Sequence, residues 1–319
     1  MKKIGFLIAT FALALLLGAG NANATVISPP LIELEANRGD VLANTIKLKN
    51  DGAVAENYYL TVEAFKSTGE DGQASFDATA DEAVKWVDFS FTSITLQPGQ
   101  ATTIPFTVKV PQTARSGGHY IAVFASTTPP TSEGSAVGIA ARIGSLVLVR
   151  VEGETVESAR LVEFSTGSDT YSMLPIDFTA RVENNGNVHL KPIGEVVVRG
   201  IFGNEATRLK LNDAGGNVLP NSLRKYSTVW GQEAPEGFWA RYGQQKREEL
   251  FGKYTAELTL VYGEGKTIKS EVSFWVMPWE RIIVDLILLA IIVAILSMLV
   301  KRYNAWVVAR YNTMPKRNK

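Results

Sequence analysis

The chain has 319 residues, 46% apolar, 9% aromatic and 20% charged, a composition of folded protein with room for two domains that each bury a core. It has no cysteine and two histidines, which excludes disulfides, thiolate metal sites, a cysteine nucleophile and a histidine-rich metal site. The formal net charge of zero hides an asymmetry: residues 25–281 carry 24 basic and 31 acidic side chains, a net of −7, and offer no electrostatic footprint for nucleic acid.

Residues 1–24 open on Lys2 and Lys3, run through an apolar stretch from Ile4 to Leu17 and end on Ala22-Asn23-Ala24. That pattern predicts a signal peptide cleaved after Ala24, in preference to a retained anchor. From there short β-rich runs alternate with Gly, Pro, Asn and Asp clusters at the spacing of an antiparallel sandwich, with no long amphipathic helix between them. In a first copy, strands are expected at 42–49, 58–65, 93–96, 102–110, 119–126 and 142–151. Turns fall at Asn50-Asp51-Gly52, whose residue types supply positive φ, and at Gln97-Pro98-Gly99-Gln100, where proline fixes φ.

A second copy repeats this order, with strands at 178–183, 195–201, 206–211, 223–230, 254–262 and 267–276. Asn50-Asp51-Gly52 aligns with Asn184-Asn185-Gly186, Leu96-Gln97-Pro98-Gly99 with Leu219-Pro220-Asn221, and Gly118-His119-Tyr120 with Gly252-Lys253-Tyr254. Two of these three matches share an offset of 134 residues. A duplicated immunoglobulin-like unit explains that better than a single larger barrel.

Residues 282–300, IIVDLILLAIIVAILSMLV, are apolar except for Asp285 and Ser297. Nineteen helical residues rise about 28 Å, close to the thickness of a bilayer's hydrocarbon core. Trp275 and Trp279 flank one edge and Tyr303 and Trp306 the other, and Lys301, Arg302, Arg310, Lys316, Arg317 and Lys319 follow without an acid. Interfacial aromatics and a basic tail predict a single-pass helix with its C-terminus in the cytoplasm, rather than a buried core helix. Asp285, one turn inside the outer edge, is expected to reach water or a headgroup. The expected fold class is therefore all-β: two tandem immunoglobulin-like β-sandwiches followed by a single transmembrane α-helix. The expected bounds are signal peptide 1–24, sandwiches 25–153 and 154–278, transmembrane helix 279–302 and basic cytoplasmic tail 303–319.

Chemistry-bearing motifs are sparse. Gly265-Lys266-Thr267 resembles the end of a phosphate-binding loop, but the glycine required five positions earlier is Leu260, so a hairpin turn is expected there. The acids Glu70, Asp71, Asp77, Asp81 and Glu82 lack the frame of a calcium loop and read as solvated. Nothing singles out a catalytic carboxylate pair, so no enzyme activity, cofactor or metal is expected.

Two surfaces carry candidate contacts. The long 127–139 loop offers Thr127, Thr128, Pro129, Pro130, Thr131, Ser132 and Glu133 as partner-binding candidates, because loops on a rigid scaffold carry recognition. The 231–251 connection contains Phe238, Trp239 and Tyr242, followed by Lys246 and Arg247. With Trp275 and Trp279 these are candidates for contact with membrane lipid, against a reading in which Phe238 and Trp239 fold back to cap the core.

The Asn50-Asp51-Gly52 turn, AFKSTGEDG at 64–72, the 96–103 strand turn, and Val110-Pro111 through Ser116-Gly117-Gly118 together resemble the DUF916 type of immunoglobulin-like domain. That domain is also described as the peptidoglycan-binding domain of WxL-interacting proteins. The layout of leader, two sandwiches, one helix and a basic tail is similar too, whereas 26–34 lacks the aromatic-rich opening strand. The resemblance implies peptidoglycan binding. The leading functional expectation is a non-catalytic, membrane-anchored surface adhesin or scaffold whose partners are the lipid membrane and a cell-wall polymer or surface protein. The alternative is a chaperone-like assembly factor that offers a sandwich edge strand to a secreted client.

Overall fold

The computed structural model describes residues 25–77, 79, 81–130 and 142–312. The expected leader, Thr131, Ser132, Glu133 and the last seven residues of the tail lie outside them. The described chain is mostly β-strand, ends in an apolar helix and divides into two compact units.

The first unit holds residues up to 160 together with 183–191 and 217–224. Its strands are β1 (Thr25–Ser28), β2 (Leu31–Ala36), β3 (Val41–Asn50), β4 (Glu56–Thr68), β5 (Gln73–Asp77), β6 (Val87–Phe89), β7 (Ser93–Leu96), β8 (Ala101–Lys109), β9 (Gly117–Ser126) and β10 (Arg142–Val151). They form one sheet in the order β1-β3-β8-β6 and a second in the order β2-β10-β9-β4-β5, with β7 also on β4. Alternation along β8 shows why they stack: Ile104, Phe106 and Val108 are buried, while Thr103, Pro105 and Lys109 are exposed. The buried row meets Ile121 and Val123 of β9 and Val147 and Val149 of β10. Each such large apolar side chain contributes about 1.5–3 kcal/mol on burial. β9 is buried on both faces, because Phe65, Tyr120, Phe124, Leu148 and Leu219 form a second apolar cluster.

The second unit holds 161–182, 192–216 and residues from 225 onward. Its elements are β11 (Ala159–Thr166), β12 (Thr170–Tyr171), β13 (Ile176–Asn184), β14 (Ile193–Gly200), β15 (Glu205–Leu211), β16 (Ser222–Trp230), helix α1 (Phe238–Glu248), β17 (Gly252–Tyr262), β18 (Lys266–Val276) and helix α2 (Trp279–Asn312). The sheets run β11-β13-β16 and β12-β18-β17-β14-β15. Phe178, Tyr254 and Phe274 interlock in the core, with ring centroids 5.8–5.9 Å apart.

The two asparagine turns matched in the sequence are alike atom by atom. Asn50 Nδ2 donates to Val54 O and Leu96 O (2.8 and 3.0 Å), and its Oδ1 accepts from Gly52 N–H. Asn184 Nδ2 donates to Val188 O and Val218 O (2.8 and 2.9 Å), and its Oδ1 accepts from Gly186 N–H. The backbone N–H groups of Gly99 and Asn221, both at positive φ, donate to the carbonyls of Asn50 and Asn184. Asn50 and Gly52 are not among the positive-φ residues, so this turn is organised by the buried asparagine amide instead. The third sequence match is one residue out of register. Gly117 and Gly252 open β9 and β17, both at positive φ, and pair with Val151 and Val276. His119 therefore corresponds to Tyr254, and the true offset there is 135.

Two further differences from the sequence reading concern helix. The 231–251 connection, expected as loop, contains the 11-residue α1, whose central Gly243 weakens the helical signal. The apolar helix runs past the expected boundary at 302 to Asn312. It is the one helix among the described residues long and apolar enough to cross a membrane, which fits single-pass anchoring. Gly265 lies in the β17–β18 hairpin turn, as expected.

Candidate functional site

The two units treat the same sheet edge differently. In the first, β2 runs parallel to β10 and covers it over six positions, from Leu31↔Leu146 to Ala36↔Val151. The outward N–H groups of Leu146 and Glu152 donate to Pro30 O and Ala36 O (2.9 and 2.8 Å). The inward residues Val147, Val149 and Val151 are fully buried as a result. In the second unit, β12 plays the part of β2 but covers only Trp275 and Val276 of β18. The N–H groups of Trp275 and Met277 donate to Asp169 O and Tyr171 O (2.8 and 2.7 Å).

Backbone direction alternates along a strand, so the N–H groups of Lys269, Glu271 and Ser273 point the same way as that of Trp275. Among the described strands none pairs with 267–274 on that side. The inward row Ile268, Ser270 and Val272 is only half-buried; of its counterparts in β10, Ser145 and Val147 are fully buried and Ile143 is half-buried. The outward row alternates as Thr267, Lys269, Glu271 and Ser273, all exposed. Charge on an exposed edge discourages unselective pairing with other strands.

An open depression of about 700 Å³ lies in the first unit, lined by Pro29, Ile32, Asn44, Phe89 and Phe106 among others. Asp88 at its rim is engaged by Lys109 Nζ at 2.7 Å. No group of three or more acids and histidines positioned to hold a metal occurs among the described residues. In the expected solvated acidic stretch, Asp77 Oδ1 accepts from the N–H and hydroxyl of Thr79 (2.9 and 2.8 Å). Asp81 instead is drawn inward against His119, 2.9 Å from Nδ1, a pairing that no spacing in the sequence signals.

The partner-binding candidates Thr127, Thr128, Pro129 and Pro130 are exposed, with Thr128 N–H donating to Ser126 Oγ at 3.2 Å. Of the membrane-contact candidates, Phe238, Trp239, Tyr242, Lys246 and Arg247 all lie on α1, while Trp275 is the penultimate residue of β18 and Trp279 opens α2. Trp239 is 72% exposed and does not cap the core. Its ring meets Phe238 and Tyr242 edge-on, at 5.2 and 6.1 Å.

A comparison with protein-family models finds no match, and neither does one with curated proteins. Among solved structures the chain is similar to the class 5 fimbriae chaperone CfaA at 12% identity and TM-score 0.38, covering 80% of this chain and all of that one. It is also similar to a chain from the complex of Salmonella enterica SafA pilin with the SafB chaperone (12% identity, TM-score 0.37, 81% of this chain and 99% of that one). The YadV chaperone gives 11% identity and TM-score 0.36, with 78% and 99% covered. These neighbours correct the leading functional expectation: their descriptions name chaperones, one of class 5 fimbriae and one in complex with a pilin, and none names an adhesin or scaffold that binds cell-wall polymer. The alternative expectation, an assembly factor with a usable sheet edge, is taken up below from the edge itself.

Proposed function

We propose that this protein is a membrane-anchored, non-catalytic assembly factor that receives an extended strand of a secreted client on the outer edge of β18. The observation that carries this is the unequal covering of equivalent edges: six positions of β10 are covered by β2, and two of β18 by β12. A client strand running parallel to β18, as β12 does, would accept from the N–H groups of Lys269, Glu271 and Ser273. Each bond contributes about 0.5–1.5 kcal/mol net. Apolar residues at alternate positions of that strand would complete the burial of Ile268 and Val272. In this reading the leader directs the β units out of the cytoplasm, α2 crosses the membrane once and the basic tail stays inside.

A photo-reactive residue placed at Lys269 in the full chain, expressed in its own cells, tests this. It is expected to crosslink an extracytoplasmic protein through a segment with apolar residues at alternate positions, and Glu271→Pro is expected to abolish the adduct. No protein adduct, or an adduct indifferent to Glu271→Pro, removes the edge as the client site.

A further inference from the structure

Helix α1 is pinned to the root of the apolar helix by a buried polar cluster. Gln245 is 2% exposed. Its Nε2 donates to Glu280 Oε2 (2.6 Å) and Ser172 O (3.2 Å), and its Oε1 accepts from the backbone N–H of Arg281 (3.0 Å). Arg241 Nε donates to the other oxygen of Glu280 at 3.1 Å. An ion-paired acid and an amide with three hydrogen bonds at this depth hold geometry, because leaving either unpaired would cost desolvation without return. Glu280 and Arg281 belong to the first turn of α2, so α1 cannot lie far from the place where the apolar run begins.

The stripe opposite Gln245 has a different character. Trp239, Gly243 and Lys246 recur at helical spacing and face away from the cluster, with Arg247 beside them. Trp239, Lys246 and Arg247 are exposed, and Trp279 adds another exposed ring at the start of α2. Indole favours the headgroup layer of a bilayer, and each cation near an anionic leaflet contributes about 1 kcal/mol. A short helix with one aromatic and basic stripe and a polar remainder lies in that layer rather than crossing it.

We infer that α1 is a membrane-surface helix whose occupant is the headgroup layer of the same bilayer that α2 enters. Together α1 and α2 make a two-point mount for the second unit: α2 fixes its place in the membrane, and α1 stops it swivelling about Met277 and Pro278. This rests on the proposed anchoring through α2, and the test separates the two.

The chain has no cysteine, so one introduced thiol gives one spin label. Gly243→Cys keeps Trp239, Lys246 and Arg247 in place, and a Cβ there meets no atom closer than Arg247 Nη1 at 3.9 Å. The full chain would carry a label at Gly243, at Leu289 in mid-α2, or at exposed Thr103 in β8. Each is reconstituted in vesicles of phosphatidylethanolamine and phosphatidylglycerol, and accessibility to oxygen and to a nickel chelate is measured. The expected oxygen-to-nickel ratio is highest at Leu289, several-fold above Thr103 at Gly243, and back to the Thr103 value at Gly243 when Lys246→Glu and Arg247→Glu are added. A Gly243 label as water-accessible as Thr103 while Leu289 is deep overturns the inference and leaves the anchor standing. A water-accessible Leu289 overturns both.

Discussion

At the scale of single residues, His119 shows how a charge is kept inside a sandwich. It is 1% exposed, and both ring nitrogens meet acceptors: Asp81 Oδ1 at 2.9 Å and Arg115 O at 3.0 Å. A neutral imidazole has one donor, so this arrangement suits imidazolium. Burial alone would lower its pKa, but the bonds to the Asp81 carboxylate and the Arg115 carbonyl outweigh burial and raise it above the ordinary value. Asp81 is the counterpart: burial pushes its pKa up, but the bonds from His119 and the N–H of Ala83 outweigh burial and bring it below the ordinary value. His189 is the opposite case, because burial lowers its pKa and its Nδ1 has no hydrogen-bond partner among the described residues. A raised folded pKa gives stability that is complete below the unfolded value, about 6.5, and is lost as pH rises through the folded one. The melting-temperature gap between the native chain and His119→Gln should therefore shrink as pH goes from about 6 to about 9. The bonds at stake are charge-assisted, each contributing about 1.5–3 kcal/mol. His189→Gln should gain on the native chain as pH falls from about 7 to about 5, since its buried neutral ring resists protonation. A pH-independent gap for His119→Gln would contradict the charged pair.

The paired asparagines belong to the same scale. Asn50 and Asn184 are 1% and 0% exposed, and each amide makes three hydrogen bonds to backbone. Replacing either by alanine orphans buried carbonyls and should cost about 2–3 kcal/mol in denaturant unfolding. Aspartate at either position would keep the acceptor but lose both donors. A loss below about 0.5 kcal/mol at Asn184 would show that water replaces the amide there. Their spacing was legible in the sequence, but their mechanism was not: a turn motif advertises residue types, not which side chain points inward.

At the scale of elements, the strands with strict alternation could be read from the chain. β8, with Ile104, Phe106 and Val108 in phase, came out within a residue at each end, and β10 matched at both. The pieces β1, β2, β11 and β12 could not be read, because they pair through backbone and carry few buried side chains of their own. That is also why the open edge was invisible: it depends on how far β12 extends, which no pattern in β18 records. Helix α1 was hidden by polar composition, and its stability comes from Gln245 and Glu280, 35 residues apart. The edge makes a prediction at this scale. Glu271→Pro removes an outward N–H and should cost less than about 1 kcal/mol, whereas Ser270→Pro breaks the β17 ladder and should cost on the order of 3 kcal/mol or more. Equal costs in denaturant unfolding would mean that the assumed backbone direction is wrong.

At the scale of the whole molecule, composition alone carried much of the reading: no cysteine, few histidines, an acidic stretch of 257 residues and one long apolar run near the end. Function was less legible, since a sandwich scaffold serves many roles and its usable surface here is made of backbone. Protease added to spheroplasts should digest the 25–281 portion and spare a small fragment containing 282–300; protection of the large portion would reverse the proposed orientation. The most direct test of client binding is hydrogen exchange at single-residue resolution along β18. It would be measured on the tagged full chain in nanodiscs, alone and in the complex that co-purifies with it. Alone, the amides of Lys269, Glu271 and Ser273 should exchange far faster than that of Leu148, whose edge is covered by β2. In the complex, the same three amides should become protected while the exposed loop at 232–236 does not. Unchanged exchange at Lys269, Glu271 and Ser273 in a complex that is demonstrably loaded would show that the client binds elsewhere.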